Sequence, residues 1–270
     1  MKGKMPVNKS WWRSYKQAIA WSLAIVLFIL FAGVAGNERS NTVCSSVEII
    51  IDRGKPQLGF VSESDVFEML HSPERNPVGK KLADINIALL ENRIRSNPYV
   101  SEAEVFSSID GKVIFNIRQR IPLMRIINVF NEQFYIDTEG VFMPLSSEYS
   151  ADVPVATGVP GSMFKHASVS MAQPPDSFSV LRHLFEISKF ISESDFWNSQ
   201  IVQLHVNDMG DIEMIPRIGD QVIILGNSEQ INEKLENLNI LYQQGFKAKN
   251  WNDYSVINLK FVNQAVCTKK

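Results

Sequence analysis

Between Lys16 and Glu38 the chain carries no charged side chain, and Ala18–Gly36 reads AIAWSLAIVLFILFAGVAG, nineteen almost wholly apolar residues. A helix of that length spans about 28 Å, close to the hydrocarbon thickness of a bilayer. A helix bonds all its backbone groups internally, so it is the one single-segment structure able to cross there. Trp11, Trp12 and Tyr15 precede the run and Trp21 lies just inside it, where aromatic rings favour the membrane interface. The competing reading is a cleaved signal peptide, with Gly33-Val34-Ala35 as a small-x-small site. The apolar run exceeds the ~7–15 residues of a signal-peptide core, so an uncleaved anchor is expected.

The flanks orient it. Five of the 27 basic residues (Lys2, Lys4, Lys9, Arg13 and Lys16) fall in the first 16 positions with no acid among them, and the remaining 22 face 29 acidic residues, a net of −7. By the positive-inside rule the N-terminus is cytoplasmic and the bulk of the chain lies outside the cytoplasmic membrane. The formal net charge of −2 argues against a nucleic-acid binder. With 45% hydrophobic and 21% charged residues, the 270-residue chain is neither disordered nor a multi-span membrane protein.

After a polar tether (37–43), Cys44–Asp52 reads as a β-branched strand. Ser62 is a good N-cap for a helix whose first turn carries Glu63 and Asp65. A second helix spans about Ile87–Ser96, capped by Asp84 or Asn86 and stopped by Asn97-Pro98. Strands Val100–Ser107 and Lys112–Arg120 flank Asp110-Gly111, a hairpin signal. The order is β-α-α-β-β.

Beyond Arg120-Ile121-Pro122, strands dominate: Leu123–Asn128, Phe134–Asp137, Val141–Leu145, Val153–Thr157, Ile201–Asn207, Ile212–Arg217, Gln221–Leu225 and Ser255–Val262. Two helices interrupt them, about Ser177–Ser192 and Ser228–Gln244, the second with Asn227 and Gln230 at capping-box spacing.

No catalytic constellation is visible. His71, His166, His183 and His205 are scattered without metal-ligand spacing. There is no nucleophile elbow, Walker loop or dinucleotide-binding glycine motif. Asp208 and Asp211 read as a hairpin turn rather than a calcium loop. Cys44 and Cys267 are equally readable as a disulfide or as two thiols. No cofactor, metal, nucleic acid or small-molecule substrate is expected, and the chain is expected not to be an enzyme.

Several short segments resemble the bacterial cell-division family FtsQ/DivIB. Leu82-x-Asp84-Ile85, then Asn97-Pro98-Tyr99-Val100, looks like its "npwV" entry, with Tyr99 for Trp. Gln119-Arg120-Ile121-Pro122 is similar to "eR-x-P", with Gln for Glu. Tyr135–Phe142 resembles the "iD-x-x-G-x-x-f" hairpin. Leu225-Gly226 with Lys234-Leu235 fits, and Ile257-Asn258-Leu259-Lys260-Phe261 stands against "iDLRy", with Asn258, Lys260 and Phe261 departing from it.

The resemblance implies an α+β chain. It comprises a cytoplasmic tail (1–17), one transmembrane helix (18–36), the tether, a POTRA-like β-α-α-β-β domain (44–121), a mainly antiparallel β domain with two helices (122–263) and a short tail (264–270). It implies a non-enzymatic divisome scaffold in the inner membrane. Its β domain binds small membrane proteins of the FtsB and FtsL type by strand addition at a free last strand, and the POTRA segment offers a second docking surface. On that reading Ser255, Val256, Ile257, Asn258, Leu259, Lys260, Phe261 and Val262 form the docking strand, with Trp251 and Tyr254 as aromatic anchors or, equally, as core closures. The alternatives are a POTRA-type assembly module for envelope proteins and a membrane-anchored cell-wall hydrolase.

Overall fold

A computed structural model describes residues 19, 21–28, 42–54, 57–161, 179–245, 251–261 and 263–270. Residues 19 and 21–28 are helical, and among the described residues no helix is long and apolar enough to cross a membrane. The rest of the expected span 18–36 lies outside the described residues, as do the tail 1–17 and positions 37–41. The remaining chain divides into two compact units with interleaved boundaries. One takes residues to Ile50, Glu63–Ile94 and Ala103–Ile117; the other takes Ile51–Ser62, Arg95–Glu102 and Arg118–Lys270.

The elements of the expected β-α-α-β-β run are β1 (Ser46–Asp52), α1 (Glu63–Met69), α2 (Ile87–Arg95), β2 (Val100–Ser107) and β3 (Lys112–Gln119), with sheet order β1-β3-β2. In the first unit Val66, Leu90, Ile94, Ala103, Val113, Phe115 and Ile117 are at most 2% exposed, so the periodic apolar positions of helices and strands do form the core. Asn86 caps α2 by accepting from the Leu89 N–H, and Glu91 on α2 accepts from the Val105 N–H at 3.0 Å. Asp110-Gly111 forms the hairpin turn, with Gly111 at a φ of +86°. Cys44 and Cys267 are free thiols.

The second unit is built on one nine-stranded sheet. Its strands are β4 (Pro122–Asn128), β5 (Gln133–Asp137), β6 (Phe142–Met143), β7 (Val155–Val159), β8 (Ile201–Val206), β9 (Ile212–Pro216), β10 (Val222–Gly226), β11 (Tyr254–Asn258) and β12 (Val266–Lys269). The order is β12-β11-β10-β9-β8-β7-β4-β5-β6. β7 runs parallel to β4 and β8, and β10 parallel to β11; the other neighbours are antiparallel. Parallel neighbours require a crossover. α3 (Ser179–Ser192) and α4 (Asp195–Gln200) precede β8, and α5 (Ile231–Ile240) links β10 to β11. α4 is a third helix where two were expected; Ser194 caps it by accepting from the Trp197 N–H.

One face of the sheet carries the core: Met124, Ile126, Ile136, Leu204, Met214, Ile223 and Ile257 pack with Leu181, Leu184, Ile187 and Leu235 of the helices. Three hairpins share one device. Asn128, Asp137 and Asn207 each close a turn by accepting, on a side-chain Oδ1, the N–H groups two and four residues on. Short side-chain acceptors at a turn's first position do this well. Asp137 carries more. It is 1% exposed, its Oδ2 accepts from Arg120 at 2.8 Å, and Arg120 also approaches Glu139 at 3.5 Å.

Around Tyr135 the other face is closed by aromatic side chains. Phe60 stacks on Tyr99 at 5.1 Å and meets Tyr135 and Tyr149 edge-on. The Tyr99 hydroxyl donates to the Leu145 carbonyl at 3.0 Å, so the ring replaces an indole with its polar tip satisfied. Gln119, 2% exposed, accepts from the Phe60 and Val61 N–H groups and donates to the Leu58 carbonyl. A glutamate at 119 has no donor for that carbonyl unless protonated.

Candidate docking edge

The strand expected to be last and free is neither. Tyr254–Asn258 lies between β10 and β12, paired on both sides. The edge on that side is β12, which falls in the expected C-terminal tail; the opposite edge is the two-residue β6. Among the described residues β12 is paired on one side only, to β11, with Ile257 opposite Cys267, Asn258 opposite Val266 and Val256 opposite Thr268. Its outer N–H and C=O groups are those a further strand can bond.

The expected docking residues accordingly separate. Ile257 and Leu259 are at most 2% exposed and belong to the core cluster. Ser255 Oγ donates to the Thr268 and Lys269 carbonyls, tying β11 to β12. Tyr254 and Val256 are half-buried, and Asn258 Oδ1 accepts from the Lys260 N–H. Lys260 pairs with Asp211 at 2.6 Å. Phe261 is 49% exposed and Val266 44%. Trp251 opens a single turn, Trp251–Asp253; its side chain, like Val262, lies outside the described residues.

Two segments meet the start of the β11–β12 turn at Lys260: the β8–β9 turn through Asp211, and the end of β10 through Gly226. Lys234 donates to the Leu225 and Asn227 carbonyls and to Asn227 Oδ1. Burial pushes its ammonium pKa down, against Glu229 and Asp211, which push it up. Gln230 has a positive φ and makes no side-chain cap, so the expected capping box is absent. The acceptor there is Asn227, which takes the Glu229 N–H. The β12 residues escaped the sequence reading because Val-Cys-Thr-Lys is too short for alternation to register; its β-branched residues were the available signal.

Among the described residues no group of three His, Cys, Asp or Glu side chains is placed to hold a metal. His183 Nδ1 lies 2.7 Å from Ser228 Oγ, which also donates to Glu186. Glu186 Oε2 also lies 4.0 Å from the same Nδ1, so hydroxyl and carboxylate share one ring nitrogen, whereas a nucleophile's base needs its orienting partner on the other. A cleft lined by Asp152, Pro154, Asn198 and Arg217 has a volume of about 90 Å³, against the ~300 Å³ at which ligand pockets begin.

A three-stranded β-α-α-β-β sheet followed by a mixed nine-stranded sheet defines the class: a POTRA-like domain joined to a sheet domain with an open end. Residues 42–118 match the POTRA-like domain family, and residues 121–268 match the family described as FtsQ/DivIB, C-terminal related. The chain belongs to the FtsQ/DivIB family. It is similar to the cell division protein FtsQ of Rhodothermus marinus, with 24% identity over 190 residues that cover 70% of this chain and 67% of that one. It is also similar to the cell division protein DivIB of Clostridium tetani, with 24% identity over 154 residues, 56% of this chain and 55% of that one. The chain thus spans between about half and two thirds of the length of these relatives.

Proposed function

We propose that this protein is a non-enzymatic cell-division scaffold, anchored in the cytoplasmic membrane by residues 18–36 with its N-terminus inside. It holds small membrane proteins of the FtsB and FtsL type during septum formation. Its partner docks by adding a strand to β12, the longer of the two edge strands of the nine-stranded sheet, and this edge is the observation that carries the reading. The main chain supplies affinity, and exposed side chains beside it supply selectivity.

An edge of four residues followed by Lys270 is short and charged enough to resist indiscriminate pairing. A productive partner must therefore add side-chain contacts, and Phe261 and Val266 offer them. The site thus moves one strand outward from Ser255–Val262, keeping Ser255 and Phe261 as neighbours of the partner and assigning Ile257 and Leu259 to support.

Depletion is expected to give filamentous cells, and normal septation in a clean deletion contradicts the reading. Co-purification of the FtsB- and FtsL-type pair from membranes is expected with the wild type and lost with Thr268→Pro or Cys267→Pro. These two adjacent positions turn their N–H groups to opposite edges. Retention of the pair by both variants contradicts docking at β12. Leu259→Pro is unsuitable as a test, because the Leu259 N–H donates to the Ile224 carbonyl within the core.

A further inference from the structure

Strand β12 is four residues long, and its pairing with β11 shifts register between Tyr254 and Val256. So short a ladder has little to fix its register, and a one-residue slip turns every side chain to the other face. The register in place puts Cys267 opposite the buried Ile257 and against the core, and puts Val266 and Thr268 beside Asn258 and Val256 on the open face. At its far end β12 is held by the Ser255 hydroxyl on the Thr268 and Lys269 carbonyls and by the Lys270 N–H, which donates to the Asp253 carbonyl at 3.0 Å; at its near end the hold comes from the residues that follow β11.

The start of the turn 259–265 is anchored. Leu259 is 2% exposed and donates its N–H to Ile224 at 2.8 Å. Asn258 Oδ1 accepts from the Lys260 N–H. The Lys260 stem then passes over Gly226, where an added Cβ would meet Cγ at 3.0 Å and the φ of +79° already calls for glycine. Its ammonium reaches Asp211 at 2.6 Å in the β8–β9 turn. Asp211 is itself fixed: it donates its N–H to Asn207 Oδ1 and accepts the Asn207 N–H on its carbonyl, both at 3.0 Å. Lys234 fastens the backbone of Leu225 and Asn227 on either side of Gly226. The three strand ends are thus tied together through Lys260.

We infer that the Lys260–Asp211 ion pair is a register lock, a positioning contact that sets which face of β12 each of its side chains takes and so which edge groups a partner meets. Its bearing on docking rests on the reading of β12 as the docking edge; the register itself can be read without a partner.

Cys267 reports it. The chain has two cysteines, so Cys44→Ala leaves Cys267 as the sole thiol of the full-length protein in detergent. Burial pushes this thiol's pKa up, and the thiolate is the reacting species, so labelling by iodoacetamide is slow while the register holds. Asp211→Asn and Lys260→Gln are expected to label about two- to fivefold faster through local opening, with thermal midpoints near that of the parent. The paired exchange Asp211→Lys with Lys260→Asp is expected to restore slow labelling. Unchanged labelling in both single variants overturns the lock, as does faster labelling that the exchange fails to reverse. The same variants are expected to capture the purified FtsB- and FtsL-type pair about two- to fivefold more weakly. Fast labelling with undiminished capture supports the lock and overturns the docking edge.

Discussion

Replacing Asp137 by alanine removes three hydrogen bonds at one buried point. Its carboxylate accepts from Arg120 at 2.8 Å, from the Glu139 N–H at 2.9 Å and from the Val141 N–H at 2.7 Å, and its side chain is 2% exposed. Removing one partner of a buried ion pair typically costs about 3–5 kcal/mol, because the other charge is left without compensation. Two features reduce the loss. Arg120 retains Glu139 at 3.5 Å, and Glu139 is exposed enough for water to reach its N–H. The balance is about 3–4 kcal/mol. In a domain of this size that lowers the thermal midpoint by about 6–16 °C.

Unfolding followed by tryptophan fluorescence suits the measurement, since Trp197 is 7% exposed in the core of the same unit. A double-mutant cycle with Arg120→Met should give a coupling of about 1.5–3 kcal/mol. Glu139→Gln, which alters only the exposed and screened partner, should cost less than about 0.5 kcal/mol. A loss below about 1 kcal/mol for Asp137→Ala, or an additive cycle, would show that the turn is held without this pair.

Other substitutions test the same packing. Gln119→Leu strands the Phe60 and Val61 N–H groups and the Leu58 carbonyl, and should cost about 2–4 kcal/mol in denaturant unfolding. Gly59→Ala sets a Cβ 2.8 Å from the Tyr149 ring; the expected loss of about 1–3 kcal/mol should shrink in a Tyr149→Leu background. Tyr99→Phe keeps the stack on Phe60 but loses the bond to Leu145, a cost of about 1 kcal/mol. Burial raises the Cys44 thiol pKa. Its contribution is therefore complete below the unfolded thiol's pKa and is lost as pH rises through the folded value, and Cys44→Ala should flatten that alkaline fall in stability.

Where punctuation was dense, the sequence spoke for the fold. β2 spans Val100–Ser107 as expected because Asn97-Pro98 and Asp110-Gly111 bound it, and Asn97 does close the turn by accepting from the Tyr99 N–H. The Arg120 and Asp137 motifs are visible separately, but their meeting is not, since they stand seventeen positions apart across a hairpin. Sheet order was the larger loss. The succession β10-α5-β11 is itself a crossover signature, which places β11 beside β10 as a parallel neighbour. β12 beyond it is four residues long, a pattern too brief to stand out from a tail. Lys260 looked like a contact residue because its neighbours alternate as a strand; its commitment to Asp211 depends on a turn 49 residues away.

Hydrogen exchange at the β12 amides tests the central claim most directly. The full-length protein in detergent is compared alone and with the purified FtsB- and FtsL-type pair. Strand addition predicts that the outward-facing amides of Val266–Lys269 become strongly protected on complex formation while the buried amides of β9 and β10 stay as they were. A stable complex that leaves the β12 amides exchanging at the free rate would contradict it.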